Sequence, residues 1–374
     1  MKILLTGGGS GGHFYPLIAV AERLHDKLRE RKLLDADIYY MAPEPYNPRA
    51  LFENNIIYRR NAAGKIRRYA SILNFFDFFK MSWGIFTGLW QIFFIFPDVI
   101  FGKGGYVSFP ALLAAKIFKI PVIIHESDSV PGRTNRWAAK FARRIAISFP
   151  EAALYFPEGK VAYTGNPIRK EIMYPATSGA HEYLNLEPEV PVILILGGSQ
   201  GSQLINESLI DLLPKLVEKY QIIHQTGKKN YLQMKNMAEL LLEGSAHKDR
   251  YRPFDYLNDL AMRMSAGVAK LVISRAGSTI FEIAAWGIPS IIIPITNSNG
   301  DHQRKNAFAY ARTGACIVIE EYNLSTYILL SEIDRLMGNV GLREAMTEKA
   351  RAFAKLDAAE KIADEILDLA LEHE

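Results

Sequence analysis

Two glycine-rich segments of this 374-residue chain have the residue types and the setting of phosphate-binding loops. Gly7–His13 reads GGGSGGH and follows the apolar run Ile3–Leu5, while Gly197–Gly201 reads GGSQG and follows the apolar run Val192–Leu196. A glycine turn between a strand and a helix points backbone N–H groups and a helix N-terminus at a bound phosphate. One such loop in each half predicts two nucleotide-binding-like halves that face a shared cleft and serve a diphosphate donor and a second ligand.

His13 stands at the end of the first loop, where the next helix is predicted to begin. Because imidazole titrates near neutral pH, a histidine beside a phosphate cradle can act as a general base or orient a ligand. A polar residue that only caps the helix is the alternative. The loop also fits the dinucleotide pattern G-x-G-x-x-G, but no acid closes the second predicted strand before Met41, where a dinucleotide site would place one. The sequence therefore disfavours NAD binding, and we expect no cofactor.

A further group of polar side chains follows the predicted strand Val122–His125. The segment His125–Asp128 reads HESD and lies at the carboxyl end of that strand, the edge at which open parallel sheets bind ligands. Glu126 is a candidate carboxylate for an acceptor hydroxyl or for positioning a ligand, and a loop acid that caps the following helix is the alternative. A third glycine loop, Gly102–Gly105, follows another predicted strand.

The second half contains a run of small residues typical of a diphosphate site. Ser274–Glu282 (SRAGSTIFE) ends a predicted strand and opens a helix. Glu282 then lies one turn into the helix, where its carboxylate can accept hydrogen bonds from a ribose diol. Asp301–Asn306 (DHQRKN) follows the next predicted strand and can add polar contacts. Together these strand-end segments predict the donor site.

Composition narrows the range of partners. Charged residues make up 22% and hydrophobic residues 49% of the chain, and the net charge is +4. This mild positive charge suits an anionic ligand or a membrane surface and is too small to indicate nucleic acid. The single cysteine, Cys316, excludes an internal disulfide and a multi-cysteine metal site. Asp35 and Asp37 imitate a metal-binding D-x-D, but they precede a strand, and we expect no metal.

The segment 65–97 is the part of the sequence most suited to a membrane surface. Met81–Pro97 carries no charge, and four phenylalanines and several basic residues precede it. It falls short of the roughly 20 apolar residues that a spanning helix needs. We expect this segment to lie in the membrane interface, with a buried core helix as the alternative. Because the N-terminus does not resemble a signal peptide, we expect the protein in the cytoplasm.

The regular alternation of strands and helices predicts an α/β fold with two Rossmann-like, doubly wound parallel sheets. We expect one domain over 1–165, a second domain over 166–345, and a C-terminal helix over 346–374 that packs back towards the N-terminal domain. The strand candidates are Lys2–Thr6, Ile38–Met41, Val99–Phe101, Val122–His125, Ile145–Ser148, Val161–Tyr163, Val192–Leu196, Ile222–Gln225, Leu271–Ser274, Ser290–Ile293 and Cys316–Ile319.

Seven motifs taken together resemble the MurG family of glycosyltransferases. They span the chain from Thr6 to Asn306 in the order of that family, and seven motifs in order are unlikely to arise by chance. The matching segments read TGGGSGGHFYP, GKGGYVSFP, HESDSVPGRTN, GNPIR, LGGSQGS, SRAGSTIFEIAAWGIP and DHQRKNA.

The resemblance implies the GT-B arrangement of two Rossmann-like domains with a cleft between them. The domain over 1–165 would then bind the acceptor and the membrane, and the domain over 166–345 would bind the UDP-sugar. It implies an inverting transfer of N-acetylglucosamine from UDP-N-acetylglucosamine to the muramyl C4 hydroxyl of lipid I, an undecaprenyl-pyrophosphoryl muramyl-peptide. The products would be UDP and lipid II, for peptidoglycan synthesis at the cytoplasmic face of the cell membrane, with peripheral attachment. The alternatives are a transferase for a different membrane lipid, a UDP-sugar epimerase and a non-catalytic UDP-sugar-binding subunit.

The matching motifs also imply roles for single residues. Ser10, Gly11 and Gly12 lie beside the reacting sugar and phosphates, and His13 matches the candidate base. Asp128 stands where many members have a donor-contacting asparagine, and Lys103 and Phe109 occupy positions that are often small or apolar. The matched donor contacts are Arg169, Ser199, Leu257, Ser278, Thr279, Glu282 and Gln303.

Overall fold

The computed structural model of the chain describes residues 1–65, 72–198, 201–296 and 299–373. The chain forms two α/β units. The first comprises Met1–Arg169 together with Lys355–Glu374, and the second comprises Lys170–Ala354. Ser199, a predicted donor contact, and the basic residues Arg67 and Arg68 lie outside the described residues.

The first unit is built on one seven-stranded sheet, in which every neighbouring pair of strands is parallel. Its strands are β1 Lys2–Thr6, β2 Asp37–Ala42, β3 Ile56–Arg60, β4 Val99–Gly102, β5 Val122–Glu126, β6 Arg144–Ile147 and β7 Val161–Tyr163. Its helices are α1 Gly11–Glu30, α2 Pro48–Glu53, α3 Ile72–Ile95, α4 Phe109–Phe118, α5 Arg133–Ala138 and, from the end of the chain, α16 Ala358–His373.

The strand order β3-β2-β1-β4-β5-β6-β7 reverses direction between β1 and β4. In open parallel sheets, ligands bind outside the carboxyl ends of the strands at such a switch point. The glycine loops after β1 and β4 both begin there, since Thr6 ends β1 and Gly102 ends β4. The polar segment after β5 begins at the carboxyl end of the strand next to β4.

The core of the first unit explains why α16 belongs to it. One face of the sheet packs against α1, and α16 covers α1 with apolar residues that include Ile362 and Ile366. At the rim, Lys27 Nζ lies 2.6 Å from a Glu360 carboxylate oxygen. The segment 346–374, predicted as one helix, is therefore divided: α15 Val340–Phe353 belongs to the second unit, and α16 packs on the first.

The second unit repeats the design with a six-stranded parallel sheet in the order β10-β9-β8-β11-β12-β13. Its strands are β8 Val192–Leu196, β9 Gln221–Gln225, β10 Tyr251–Phe254, β11 Ala269–Ser274, β12 Ser290–Ile292 and β13 Cys316–Val318. Its helices are α6 Lys170–Met173, α7 Ala180–Leu184, α8 Gln203–Ile210, α9 Leu213–Lys219, α10 Tyr231–Leu241, α11 Asp259–Val268, α12 Thr279–Trp286, α13 His302–Ala311, α14 Thr326–Gly338 and α15. The order reverses between β8 and β11, so the loops after these two strands meet at the switch point.

Helix α3 presents a broad aromatic surface to the exterior of the first unit. Its anchored face meets the segment 61–64, where the Asn61 side-chain amide donates to the Gly84 carbonyl at 3.1 Å and accepts from the Thr87 hydroxyl at 2.6 Å. A Cβ at Gly84 would lie 1.8 Å from the Ala62 carbonyl oxygen, so only glycine allows this approach. The exposed aromatic residues of this helix and its end are Phe75, Phe76, Phe78, Phe79, Trp83, Phe86, Trp90, Phe93, Phe94 and Phe96.

Two strands of the structure were not predicted, and both lie at sheet edges. β3 has only its first residue buried, and β10 contains Pro253, whose nitrogen carries no N–H and cannot donate to a neighbouring strand. Neither segment shows the apolar run by which the central strands are identified. β2 also begins at Asp37, so this acid lies in the strand rather than before it.

Candidate active site

The first glycine loop holds His13 in a defined orientation at the start of α1. Ser10 is the N-cap, but its hydroxyl does not cap the helix; it lies 2.8 Å from Nδ1 of His13. Gly9 has φ +82°, in the left-handed region that glycine adopts at no steric cost. The Nε2 edge of the imidazole faces the third glycine loop, since a Cβ at Gly105 would lie 3.9 Å from Nε2. The structure thus brings Ser10, Gly11 and Gly12 together with His13.

Lys103 and His125 form a buried polar pair beneath this loop. Lys103 Nζ lies 2.7 Å from His125 Nδ1 and 3.2 Å from Asn166 Oδ1. His125 Nε2 contacts the Gly165 carbonyl oxygen at 2.9 Å, and a carbonyl can only accept, so Nε2 carries the proton and Nδ1 accepts from Lys103. Burial, with Lys103 next in effect, keeps the pKa of His125 well below its usual value, and the ring is neutral. Burial also lowers the pKa of Lys103 to about 7.

Glu126 organises the loop that follows β5. Its Oε1 accepts from the Asp128 backbone N–H at 2.9 Å, and its Oε2 accepts from the Gly132 N–H at 3.0 Å and the Asn135 amide at 2.9 Å. Burial and the neighbouring Asp128 raise the pKa of Glu126 to about 7. Both oxygens therefore hold the segment 126–132 in place. Asp128 is half-buried in the same loop.

Arg169 lies with the first unit, beside α1. Its guanidinium carbon stands 3.9 Å from the centroid of the Tyr15 ring, within the range of a cation–π contact. The residue is 8% exposed. This contact fixes a cation close in sequence to Asn166, which bonds to Lys103. The predicted site residues of residues 1–169 thus lie on the loop after β1, at and after the end of β5, and beside α1.

The second glycine loop packs closely against the end of β9. Gly201 has φ +74°, and a Cβ there would lie 2.2 Å from the Thr226 carbonyl oxygen, so glycine is required on both grounds. Ser202 then caps α8, with its hydroxyl accepting from the Ile205 N–H at 3.4 Å. The Gln225 amide, at the end of β9, donates to the Gly198 carbonyl at 3.2 Å and holds this part of the loop in place.

Arg275 connects the loops of the second unit. Its guanidinium donates to the Ser202 hydroxyl at 2.6 Å and to the Ile293 carbonyl at 3.0 Å, and it pairs with the Glu321 carboxylate at 2.6 Å. Glu321 in turn accepts from the Thr296 N–H at 2.8 Å. One side chain therefore braces the glycine loop, the end of β12 and the turn at Glu321.

The start of α12 is open on the side where a ligand would approach. Ser278 is the N-cap and its side chain makes no capping bond, while Thr279 and Glu282 occupy the first turn. All three are partly exposed, and a Cβ at Gly277 would meet nothing within 4 Å. The helix presents N–H groups to a small open space, an arrangement suited to an anion.

Two other predicted donor contacts have partners within the second unit. Gln303 Oε1 accepts from the Ile295 N–H at 3.2 Å. Leu257 has its side chain in the core, and its N–H donates to Gln225 Oε1 at 3.0 Å. The structure places Gln303 at the start of α13 and Leu257 just after β10. Their roles towards a ligand stay predictions.

Sequence reasoning did not identify Lys103, Asn135, Asn166 or Arg275 as site residues. A lysine within a glycine run and an arginine within a run of small residues are the signals that could have indicated two of them. Lys103 and its partner His125 are 22 residues apart in the chain, and Arg275 and its partner Ser202 are 73 residues apart, so no local spacing reveals these contacts. Within the described ranges, no three His, Cys, Asp or Glu side chains lie together in a way that could hold a metal ion.

Comparison with known proteins identifies the family. Residues 3–147 match the glycosyltransferase family 28 N-terminal domain, and residues 192–365 match the family 28 C-terminal domain. A protein of Clostridium novyi is 38% identical over 340 residues, covering 90% of each chain, and is named UDP-N-acetylglucosamine--N-acetylmuramyl-(pentapeptide) pyrophosphoryl-undecaprenol N-acetylglucosamine transferase.

Solved structures agree with this relationship. MurG of Acinetobacter baumannii superposes with a TM-score of 0.72 at 25% identity, covering 98% of this chain and 99% of that one. The UDP-GlcNAc 2-epimerase of Neisseria meningitidis, solved with UDP-GlcNAc, has a TM-score of 0.69 at 15% identity over 98% of this chain and 100% of that one, which shows a shared fold alone. From its two domain matches and its close relatives, the chain belongs to glycosyltransferase family 28 and, within it, to the MurG family.

Proposed function

We propose that this protein is an inverting glycosyltransferase that moves N-acetylglucosamine from UDP-N-acetylglucosamine to the muramyl C4 hydroxyl of lipid I, forming lipid II. The proposal rests mainly on the observation that two units of similar fold carry different functional groups. The first has an oriented histidine in a glycine loop, and the second has a braced glycine loop beside an open helix N-terminus. The Clostridium novyi relative is named for this transfer.

The second unit is the proposed donor site. The N–H groups at the start of α12, near Ser278 and Thr279, face the diphosphate, and Glu282 accepts from the ribose diol. Negative charge grows on the diphosphate as UDP leaves, and donors fixed in advance stabilise that charge without reorganising. Arg275 is paired with Glu321 and acts by keeping the loops in place. Arg169 belongs to the first unit, and its role as a donor contact stays a prediction.

His13 is the proposed general base. When Nδ1 donates to the Ser10 hydroxyl, the lone pair lies on Nε2, the edge that faces the third glycine loop. Nε2 takes the proton of the acceptor hydroxyl while its oxygen bonds to the anomeric carbon. The bond from that carbon to the phosphate oxygen breaks on the opposite face, and UDP leaves with the electron pair. The anomeric centre is therefore inverted.

Glu126 is better suited to shaping the acceptor site than to moving the proton. Three donors already occupy its two oxygens, whereas a base needs a lone pair directed at the substrate. We propose that it holds in place the loop bearing Asp128, the position matched to a donor-contacting asparagine. Its role as a base stays a prediction, which His13→Ala and Glu126→Gln variants assayed side by side would test.

Helix α3 is the proposed membrane attachment. Phe75–Ile95 is long and apolar enough to cross a membrane by length and composition, and only 22% of that window is buried inside the protein. The exposed aromatic rings argue against the buried core helix considered from the sequence. Lys80 is exposed within this helix, Lys65 is exposed in the segment before it, and both can meet anionic headgroups. An in-plane helix of this kind would bring the first unit to a lipid-linked acceptor at the cytoplasmic face.

A transfer assay tests the proposal. Purified protein is incubated with radiolabelled UDP-N-acetylglucosamine and a lipid I analogue in vesicles, and labelled lipid and free UDP are both counted. Equal amounts of labelled lipid and UDP are expected. Tight UDP binding without transfer would contradict the proposal and point to another lipid acceptor or a binding subunit. Conversion of the nucleotide sugar without any lipid would point to an epimerase instead.

A further inference from the structure

The carboxyl end of β9 supports the second glycine loop through the backbone. The Gln225 carbonyl accepts from the Gly197 N–H at 3.4 Å, and a Cβ at Gly201 would lie 2.2 Å from the Thr226 carbonyl oxygen. The Thr226 N–H in turn donates at 2.9 Å to the carbonyl of Phe254, the last residue of β10. Backbone contacts therefore link the glycine loop, the end of β9 and the end of β10.

The side chain of Gln225 joins the two segments on either side of it. Its Nε2 donates to the Gly198 carbonyl in the second glycine loop at 3.2 Å, and its Oε1 accepts from the Leu257 N–H just after β10 at 3.0 Å. A carbonyl can only accept and an N–H can only donate, so a single orientation of the amide satisfies both partners. Because the glycine loop contains Ser199, both joined segments carry predicted donor contacts.

Burial makes this bridge costly to lose. Gln225 is 4% exposed and Leu257 is 1% exposed, with its side chain in the core of the second unit. A backbone N–H without a partner is unfavourable away from water, and Leu257 cannot turn its N–H to solvent without withdrawing an apolar side chain. Without the bridge both segments would shift, and a ligand that contacts both would have to restore their arrangement as it binds.

We propose that Gln225 is a positioning residue of the donor site, which holds the second glycine loop and the segment after β10 at the separation that a nucleoside diphosphate requires. The inference rests on the proposed function, because that function assigns both segments to the donor. Both ends of the Gln225 amide are already engaged by the protein. Its effect therefore reaches the ligand through Gly198 and Leu257.

Gln221 offers a matched control on the same strand. It is 1% exposed, and its amide also joins backbone groups: Nε2 donates to the Glu187 carbonyl at 2.8 Å and to the Val190 carbonyl at 3.0 Å, and Oε1 accepts from the Glu187 N–H at 2.8 Å. Gln221 begins β9, whereas open parallel sheets bind ligands at the carboxyl ends of their strands. Methionine at either position removes one buried amide and keeps a side chain of similar length.

The test compares UDP binding by calorimetry and the melting temperatures of the native protein, Gln225→Met and Gln221→Met. Both variants are expected to melt at a lower temperature, because each leaves buried backbone groups without a partner. Gln225→Met alone is expected to weaken UDP binding, by about tenfold or more, equal to at least about 1.4 kcal/mol. In the transfer assay its KM for UDP-N-acetylglucosamine should rise, while its KM for lipid I stays constant.

Gln225→Glu keeps the inference falsifiable if Gln225→Met does not fold. Its carboxylate still accepts from the Leu257 N–H but places an oxygen against the Gly198 carbonyl, so UDP binding should again weaken. Native affinity for UDP in a folded Gln225 variant would overturn the inference, and so would an equal loss of affinity in Gln221→Met, which a general structural role predicts. A native protein that binds no UDP would overturn the proposed function as well, which distinguishes the two failures.

Discussion

The double substitution Phe93→Ser/Phe94→Ser on α3 is expected to weaken membrane binding about 100-fold, by the following estimate. Phe93 is 58% exposed and Phe94 is 63% exposed. Taking roughly 200 Å² for a buried phenylalanine, about 120 Å² of each residue is available to the lipid. At about 25 cal/mol per Å², the two residues contribute about 6 kcal/mol when fully inserted and about 3 kcal/mol when half of that area is inserted. The smaller figure corresponds to about a 100-fold change in the partition coefficient.

Sedimentation with phospholipid vesicles measures this change directly. The partition coefficients of the native and double-substituted proteins are compared on zwitterionic vesicles and on vesicles containing anionic lipid, at low and high salt. The loss should appear on both vesicle types, because it comes from apolar area. The additional binding to anionic vesicles should fall with salt in both proteins, because Lys65 and Lys80 remain.

The matched control is Phe52→Ser/Leu154→Ser, which removes two exposed apolar side chains elsewhere in the first unit. Phe52 is 84% exposed and Leu154 is 87% exposed, so at least as large an exposed fraction is lost there. Vesicle binding of this control should match that of the native protein. If the α3 variant keeps native binding, or if the control loses as much, the assignment of α3 as the attachment surface is wrong.

Three further predictions concern the loops and the core. His13→Ala should lower turnover by about 100- to 10,000-fold while UDP binding by calorimetry stays unchanged; near-native turnover would remove His13 from the role of base. Gly201→Ala should lower the melting temperature, because the added Cβ would collide with the Thr226 carbonyl oxygen. Gly277→Ala adds a Cβ in open space, so it should weaken UDP binding and leave the melting temperature unchanged. Equal melting temperatures for the two variants would contradict this prediction. Burial lowers the pKa of His224 from its ordinary value of 6.5 to about 3. Between these two pH values the unfolded chain binds the extra proton, so stability falls as the pH drops from 6.5 to 3. His224→Gln should reduce that slope of the free energy of unfolding by about 1.4 kcal/mol per pH unit, and an unchanged slope would refute it.

Much of the fold could be predicted because its central strands are continuous apolar runs. β1, β8 and β11 lie between neighbours and are covered on both faces, and such strands need no polar residue to mark an exposed side. The edge strands β3 and β10 lack that pattern, because only the first residue of each is buried. Helix α3 presented the opposite difficulty, because an apolar helix in the core and one at a membrane surface have similar sequences. Only the exposure of its aromatic rings distinguishes them.

By itself, the sequence determined where the loops of the site begin. A glycine run or a polar segment that follows an apolar strand lies at the carboxyl edge of a parallel sheet, independently of the rest of the chain. His13, Glu126 and Ser278 were therefore predicted as site residues from the neighbouring sequence alone. The tertiary structure decided what these side chains contact. The pairing of Lys103 with His125 and the bracing of Ser202 by Arg275 join residues far apart in the chain, and they exist because the parallel sheets bring separate strand ends together. Burial, which sets the charge balance around Lys103, is likewise a property of the folded chain and not of any local pattern.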